Sequence, residues 1–252
     1  KNRIQYRSYV FVWPFYIEKK VIMTEEQYIT ALKNNPHGVR NIPNPTEEMQ
    51  LVCVEQNGML LQYIKNPTDR VIETALAQSP RAIQYVDNPS DELLISLVKQ
   101  DWAVLEYIQH PSDEVVRIAL DQSGWAIRYI TNPSEELQLR AVETQYDALQ
   151  YIANPSERVQ MAAVKSNYLS LRYIQNPTLD ILKAAVLQDP QAMRQITNLD
   201  LDTVVELLKV STLILGYVPK QLGLTVDMVR RIITEMIANP AVEDRYVREL
   251  VS

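Results

Sequence analysis

Cysteine, histidine and glycine are scarce in this chain, and each scarcity excludes a class of chemistry. The single cysteine, Cys53, rules out an intramolecular disulfide framework and any multi-cysteine metal site. A chain without disulfides suits a reducing compartment such as the cytoplasm. The two histidines, His37 and His110, have no second ligand at metal-binding spacing. With 5 glycines in 252 residues there is no Gly-rich phosphate loop, and no Ser-His-Asp set or zinc-type motif accompanies them. The reading is therefore of a protein that is not an enzyme, with no catalytic, cofactor-binding or metal-ligating residues and no cofactor. Positive charge is in deficit too: 25 Lys and Arg against 31 Asp and Glu leave a formal charge of -6. Nucleic-acid binders usually carry a basic patch or stripe. The acidic balance disfavours nucleic acid as a partner and mildly favours a basic protein.

Proline is plentiful, at 14 residues, and it punctuates a repeat. Tyr63, Tyr85, Tyr107, Tyr129, Tyr151 and Tyr173 recur at a constant step of 22 residues. Each opens a phrase of the form YIKNPT, YVDNPS, YIQHPS, YITNPS, YIANPS or YIQNPT. Upstream, NIPNPT starts at Asn41, and Thr24-Glu25-Glu26 stands 22 residues ahead of Thr46-Glu47-Glu48. Downstream, QITNLD starts at Gln195 and Tyr217 is again in phase. Nine units without insertion run from 19 to 216.

One unit holds two helices. The Ser or Thr after the proline is an N-cap, whose hydroxyl accepts from a first-turn N–H. Acids follow it, where the helix dipole is positive. After Ser134, for example, come Glu135 and Glu136, then Leu137, Ala141 and Val142 as an apolar stripe. A second start lies eleven residues beyond the first cap, at Asn35-Pro36, Ser79-Pro80 and Asp189-Pro190. This second helix is short and is stopped by the next Asn-Pro. Neither helix could stand alone, so stacking must supply a continuous core. Small residues recur at one buried position: Ala75, Ala119, Ala141, Ala163 and Ala185, with Cys53 in the same column. Leu137, Ala141, Val142, Leu149, Ile152 and their equivalents are expected to be nearly fully buried. The tyrosines are expected in the core, with their hydroxyls bonded at its edge. The Asn column (Asn44, Asn66, Asn88, Asn132, Asn154, Asn176) is expected to satisfy turn backbone groups, held extended by the following proline. The fold class is all-α: an α-solenoid of about nine two-helix repeats with N- and C-terminal caps.

The ends depart from the repeat. Residues 1–18 contain an apolar, aromatic stretch, SYVFVWPFYI, after the basic KNRIQYR. It is too short to span a membrane. It has the charge order of a secretory signal, but Glu18-Lys19-Lys20 follows where a small-residue cleavage site would stand. It reads as a strand or arm capping the first repeat. Residues 217–252 read as a helical cap: one amphipathic helix from Thr225 to Ala238, then a last helix from Ala241 to Val251.

The phrase Y-I-x-N-P-S-E-E, with an Ala-Val helix and an element like Asn57-Gly58-Met59-Leu60-Leu61-Gln62, resembles short Asn-Pro-containing helical repeats of unknown function in phage, giant-virus and bacterial proteins. The resemblance covers 19 to 216. It implies an α-solenoid and no chemistry. In a viral or phage chain it implies a host-interaction role in the host cytoplasm.

Binding residues are sought where the repeat varies. Trp102, Trp125, Tyr146 and Tyr168 stand at or beside the start of the second helix, where other units have Pro36, Gly58, Pro80 or Pro190. Large aromatics that a fold does not demand are partner-binding anchors. The paired carboxylates Glu47, Glu48, Asp91, Glu92, Asp113, Glu114, Glu135 and Glu136 should form an acidic edge. Three functions follow: a protein-binding scaffold or adaptor; an acidic nucleic-acid mimic that blocks a basic groove; and a nucleic-acid-binding solenoid using Arg128, Arg172 and Arg194, which share one column.

Overall fold

The computed structural model describes residues 23–238, and among these every regular element is helical. Nine times an α-helix is followed by a six-residue 3₁₀ helix. The pairs are α1 (Glu25–Asn34) with η1 (Pro36–Asn41), α2 (Glu47–Gln56) with η2 (Gly58–Tyr63), α3 (Asp69–Gln78) with η3 (Pro80–Tyr85), and α4 (Asp91–Gln100) with η4 (Trp102–Tyr107). They continue as α5 (Asp113–Gln122) with η5 (Gly124–Tyr129), α6 (Glu135–Thr144) with η6 (Tyr146–Tyr151), α7 (Glu157–Ser166) with η7 (Tyr168–Tyr173), α8 (Leu179–Gln188) with η8 (Pro190–Gln195), and α9 (Leu201–Leu208) with η9 (Thr212–Tyr217). A 3₁₀ turn, Lys220–Leu222, and α10 (Val226–Ala238) close the described part. The protein is an all-α repeat solenoid. The proposed N-terminal arm and the last helix after Ala238 lie outside the described residues.

The chain divides into two compact units, one ending at Pro111 and one starting at Ser112. The first holds α1 to η4 and the second α5 to α10. The division falls directly after the His110-Pro111 turn, in which His110 replaces the Asn of the Asn-Pro turns.

The helix starts follow the sequence. Thr24, Thr46, Thr68, Ser90, Ser112, Ser134, Ser156, Thr178 and Asp200 each accept a hydrogen bond from the backbone N–H three residues on. The cap hydroxyl has a second partner where the first acid of the preceding repeat is glutamate. Thr46 donates to Glu25 (2.6 Å), Thr68 to Glu47 (2.6 Å), Ser156 to Glu135 (2.5 Å) and Thr178 to Glu157 (2.7 Å). One residue joins each of α1 to α8 to its 3₁₀ helix, and three join α9 to η9. Asn57 closes α2 by donating its N–H to the Cys53 carbonyl (3.0 Å), and its Oδ1 opens η2 by accepting from the Met59 N–H (3.0 Å). Asp101, Asn167 and Asp189 make the same side-chain bond, whereas Asn35 and Ser79 make none. Six residues before the next stop are enough for two 3₁₀ turns, at three residues per turn.

Four of the six Asn-Pro turns differ from expectation. Asn66, Asn88, Asn132 and Asn154 are not extended but left-handed, with φ of 48 to 53°. Proline disfavours the right-handed helical region for the residue before it, and asparagine is among the few residues that enter the left-handed region readily. The turn selects asparagine for its backbone.

The core forms where the small column meets the preceding 3₁₀ helix. Ala75, Ala119, Ala141, Ala163, Ala185 and Cys53 are fully buried, and Leu137, Val142, Leu149 and Ile152 are buried with them. Ile152 has buried equivalents in Ile42 and Ile64, but Val86, Ile108, Ile130, Ile174 and Ile196 are only half-buried, because this residue already leaves the 3₁₀ helix for the turn. A Cβ on Gly58 would lie 2.2 Å from the Ala75 carbonyl oxygen, and one on Gly124 would lie 2.2 Å from that of Ala141. At these junctions the backbones of consecutive repeats nearly touch. Beyond the ninth pair, Ile232 and Met236 of α10 join a cluster with Val204, Leu207, Leu208 and Ile214, covering the end of the core.

Gly124→Ala should therefore cost about 1–3 kcal/mol by overpacking. Gly216, with open space around its would-be Cβ, should accept alanine with no loss. Urea denaturation of the two variants against the parent checks the contrast.

Candidate partner-binding surface

Each 3₁₀ helix turns its third and fourth residues inward, as Leu60 and Leu61 or Ala126 and Ile127 show. The first residue faces the C-terminal end of the next α-helix, which is what confines Gly58 and Gly124. The second, fifth and sixth residues reach the surface. This geometry reorders the proposed anchors. Trp102, Tyr146 and Tyr168 occupy the first position and are half-buried, Trp102 in the first unit and the two tyrosines in the second. Tyr168 packs against the core cluster, and its N–H donates to Gln188 Oε1. The first position is thus constrained by the fold, contrary to the argument from Pro and Gly at its equivalents. Trp125, one residue out of that column, is the exposed member at 37%, with its indole N–H on Asp147 Oδ1 (2.8 Å).

The tyrosine column is not core either. Tyr63 and Tyr151 are 41% and 39% exposed, and Tyr85, Tyr107, Tyr129 and Tyr173 are half-buried. As the sixth residue, the tyrosine stands one turn beyond the inward-facing third residue, at the rim of the core. Guanidinium groups lie over these rings. In the first unit Arg81 is 5.5 Å from the Tyr107 ring centre. In the second, Arg128 is 4.7 Å from Tyr129 and 5.9 Å from Tyr151, Arg172 is 5.9 Å from Tyr173, and Arg194 is 5.1 Å from Tyr217.

Several arginines on the α-helices of the second unit instead pair with carboxylates. Arg117 pairs with Glu136 (3.3 Å), Arg158 with Glu135 (3.3 Å), and Arg140 with both carboxylate oxygens of Asp121 (2.5 and 2.7 Å). The Arg140 hydrogen bonds hold the Asp121 carboxyl below its ordinary value.

The eight residues of the acidic edge sit in the first turns of α2, α4, α5 and α6 and are exposed. Glu47 and Glu135 accept the next repeat's cap hydroxyl, Glu135 and Glu136 pair with arginines, and Glu92 is held below the usual carboxylate range by hydrogen bonds from its own backbone N–H and from Ser90. Glu47, Glu92, Glu135 and Glu136 are thus engaged within the solenoid, while Glu48, Asp91, Asp113 and Glu114 stand exposed in the same first turns.

Cys53 is fully buried, and burial pushes its thiol up to about 11. His37 and His110 are exposed. Among the described residues, no group of three or more His, Cys, Asp and Glu could hold a metal ion, and no helix is long and apolar enough to cross a membrane. Two polar grooves lie between successive inter-repeat turns: one in the first unit lined by Asp87, Asn88, Gln109 and His110, and one at the same repeat positions in the second, lined by Gln175, Asn176, Thr197 and Asn198.

The sequence reading missed the glutamines that end the α-helices. Gln78 Oε1 accepts from the Gly58 N–H (2.6 Å), Gln56 donates to the Leu32 carbonyl (3.3 Å), and Gln188 donates to the Lys165 carbonyl (2.9 Å). Each reaches back to the preceding repeat. Their step of 22 residues was the available signal.

Two outcomes follow. Tyr168→Gly should destabilise the protein by about 2 kcal/mol through lost packing, while Trp125→Ala should cost no more than about 1 kcal/mol; equilibrium unfolding in urea separates them. Cys53 should resist a thiol-reactive disulfide reagent at mildly alkaline pH and react at once when the chain is unfolded. Rapid labelling of the folded protein would overturn the buried placement. No protein-family model, curated protein or solved structure matches the chain.

Proposed function

We propose that the protein is a non-enzymatic protein-binding scaffold that presents the outer faces of its 3₁₀ helices to a partner. The observation that supports this reading is the exposure of large side chains at repeat positions the core does not use: Tyr63, Trp125, Tyr151 and Leu213, all more than a third exposed. The third and fourth positions already fill the interior, so these side chains add little to the fold. Exposed aromatic and aliphatic groups on a rigid backbone are the material of binding hot spots. Tyr63 stands on η2 of the first unit, and Trp125, Tyr151 and Leu213 stand on η5, η6 and η9 of the second. The resemblance to phage and giant-virus repeats makes a host protein the first partner to seek, met in the host cytoplasm. A basic partner drawn to the acidic edge, or mimicry of nucleic acid by that edge, is less favoured, since Glu47, Glu135 and Glu136 are already engaged within the solenoid.

The experiment is affinity capture from host lysate, comparing the parent chain with a variant carrying Tyr63→Ser, Trp125→Ser, Tyr151→Ser and Leu213→Ser. The expected result is a protein retained by the parent and lost by the variant, with the helical circular dichroism unchanged. If the folded variant retains the same proteins, the 3₁₀ faces are not the binding surface.

A further inference from the structure

The second unit carries two populations of arginine. Of those on the α-helices, Arg117, Arg140, Arg158 and Arg230 each pair with a carboxylate, whereas Arg231 on α10 pairs with none among the described residues. Arg172 and Arg194, on η7 and η8, have no carboxylate partner among the described residues. Each is exposed and lies over a tyrosine ring, 5.9 Å from Tyr173 and 5.1 Å from Tyr217. Arg172 is further fixed by its Nε donating to the Leu169 carbonyl (3.0 Å). Arg128 holds the same position on η5, over Tyr129 and Tyr151. Within η5 to η9 there is one acid, Asp147, and it accepts from the Trp125 indole. A chain of net charge -6 thus presents one face that is cationic and aromatic.

We infer that this 3₁₀ face of the second unit binds an extended acidic segment of the partner protein, with neighbouring carboxylates on Arg172 and Arg194. The inference rests on the scaffold reading and adds the chemistry of the partner. A guanidinium resting on a ring is already ordered, so less freedom is lost when a carboxylate meets its fork, and the fork fits a carboxylate in bidentate fashion. The spacing fits as well. η7 and η8 pack side by side, and packed helices lie about 8–10 Å apart. An extended polyproline-type segment rises about 3.1 Å per residue with three residues per turn. Acids at every third residue therefore fall on successive arginines. The same stacking argues against single-stranded nucleic acid, which binds by laying its bases on aromatic faces. Here a guanidinium covers one face of each of Tyr129, Tyr151, Tyr173 and Tyr217.

The test uses the whole chain and fluorescence anisotropy. The probes are a short fluorescein-labelled peptide with Glu at every third position among Ser and Pro, the same peptide with Gln for Glu, and oligothymidine of equal length. The Glu peptide should bind, and the Gln peptide and the oligonucleotide should bind at least tenfold more weakly. Arg172→Gln with Arg194→Gln should weaken the Glu peptide by about tenfold or more, the worth of a charge-assisted hydrogen bond. Arg230→Gln, which removes an arginine already paired on α10, should leave it unchanged. Tighter binding of oligothymidine, indifference to the double substitution, or failure of the Glu peptide to bind each overturns the inference. The two readings fail separately in the lysate experiment: a partner kept by the folded Tyr63, Trp125, Tyr151 and Leu213 variant sinks the scaffold reading, whereas one lost with that variant but kept by the Arg172 and Arg194 variant leaves the scaffold standing and sinks the acidic segment.

Discussion

No repeat helix among the described residues is long enough to hold itself. A ten-residue α-helix is marginal in water and a six-residue 3₁₀ helix more so, so every helix depends on the repeat beside it. The tie is made first by burial, through the small column at Ala75, Ala141 and their equivalents, and then by polar bonds from one repeat to the last. Cap hydroxyls of one repeat donate to the glutamate of the repeat before, and glutamines at helix ends reach back to groups that the preceding helices leave open. Such bonds matter more for register than for energy. Each contributes about 1 kcal/mol at most, yet together they allow one way of setting a repeat on its neighbour.

That register decides which side chains reach the surface. The first residue of each 3₁₀ helix is pressed against the next α-helix, the third and fourth are buried, and the second, fifth and sixth look outward. Specificity can therefore change at the outward positions without disturbing the stack, while a change at the first position alters the fit between repeats. Glycine and aromatics at that first position are two solutions to a local spacing problem. At the outward positions Trp125 and Arg172 answer to no such demand.

Much of this was legible in the sequence. The constant step, the Ser or Thr after proline and the acids behind it give the helix starts to the residue, because capping depends on local chemistry that a single stretch of chain displays. The inward positions at Leu149 and Ala141 were equally plain. The tyrosines were misjudged because Tyr-Ile reads as an apolar pair, and only the three-residue period of a 3₁₀ helix places the tyrosine at the rim. The Asn-Pro turn was misjudged because the usual preference of a residue before proline is extended, and the left-handed alternative suits asparagine in particular. Trp125 was undervalued because it lies outside the column of Trp102, Tyr146 and Tyr168. Column membership says which residues are equivalent, but it does not say which way that column points. The stacking of Arg194 on Tyr217 joins residues of different repeats, and no local pattern announces it.

The bonds between repeats span about one unit of chain: Thr46 to Glu25, Thr178 to Glu157, Gln188 to the Lys165 carbonyl. In each of these bonds the incoming repeat docks on a group in the chain already made before it. On the ribosome, at roughly 5–20 residues per second, a new repeat emerges every few seconds and meets a finished surface. It need not wait for any later part of the chain. Such a protein can assemble as it is synthesised, leaving only its growing end uncovered at any moment.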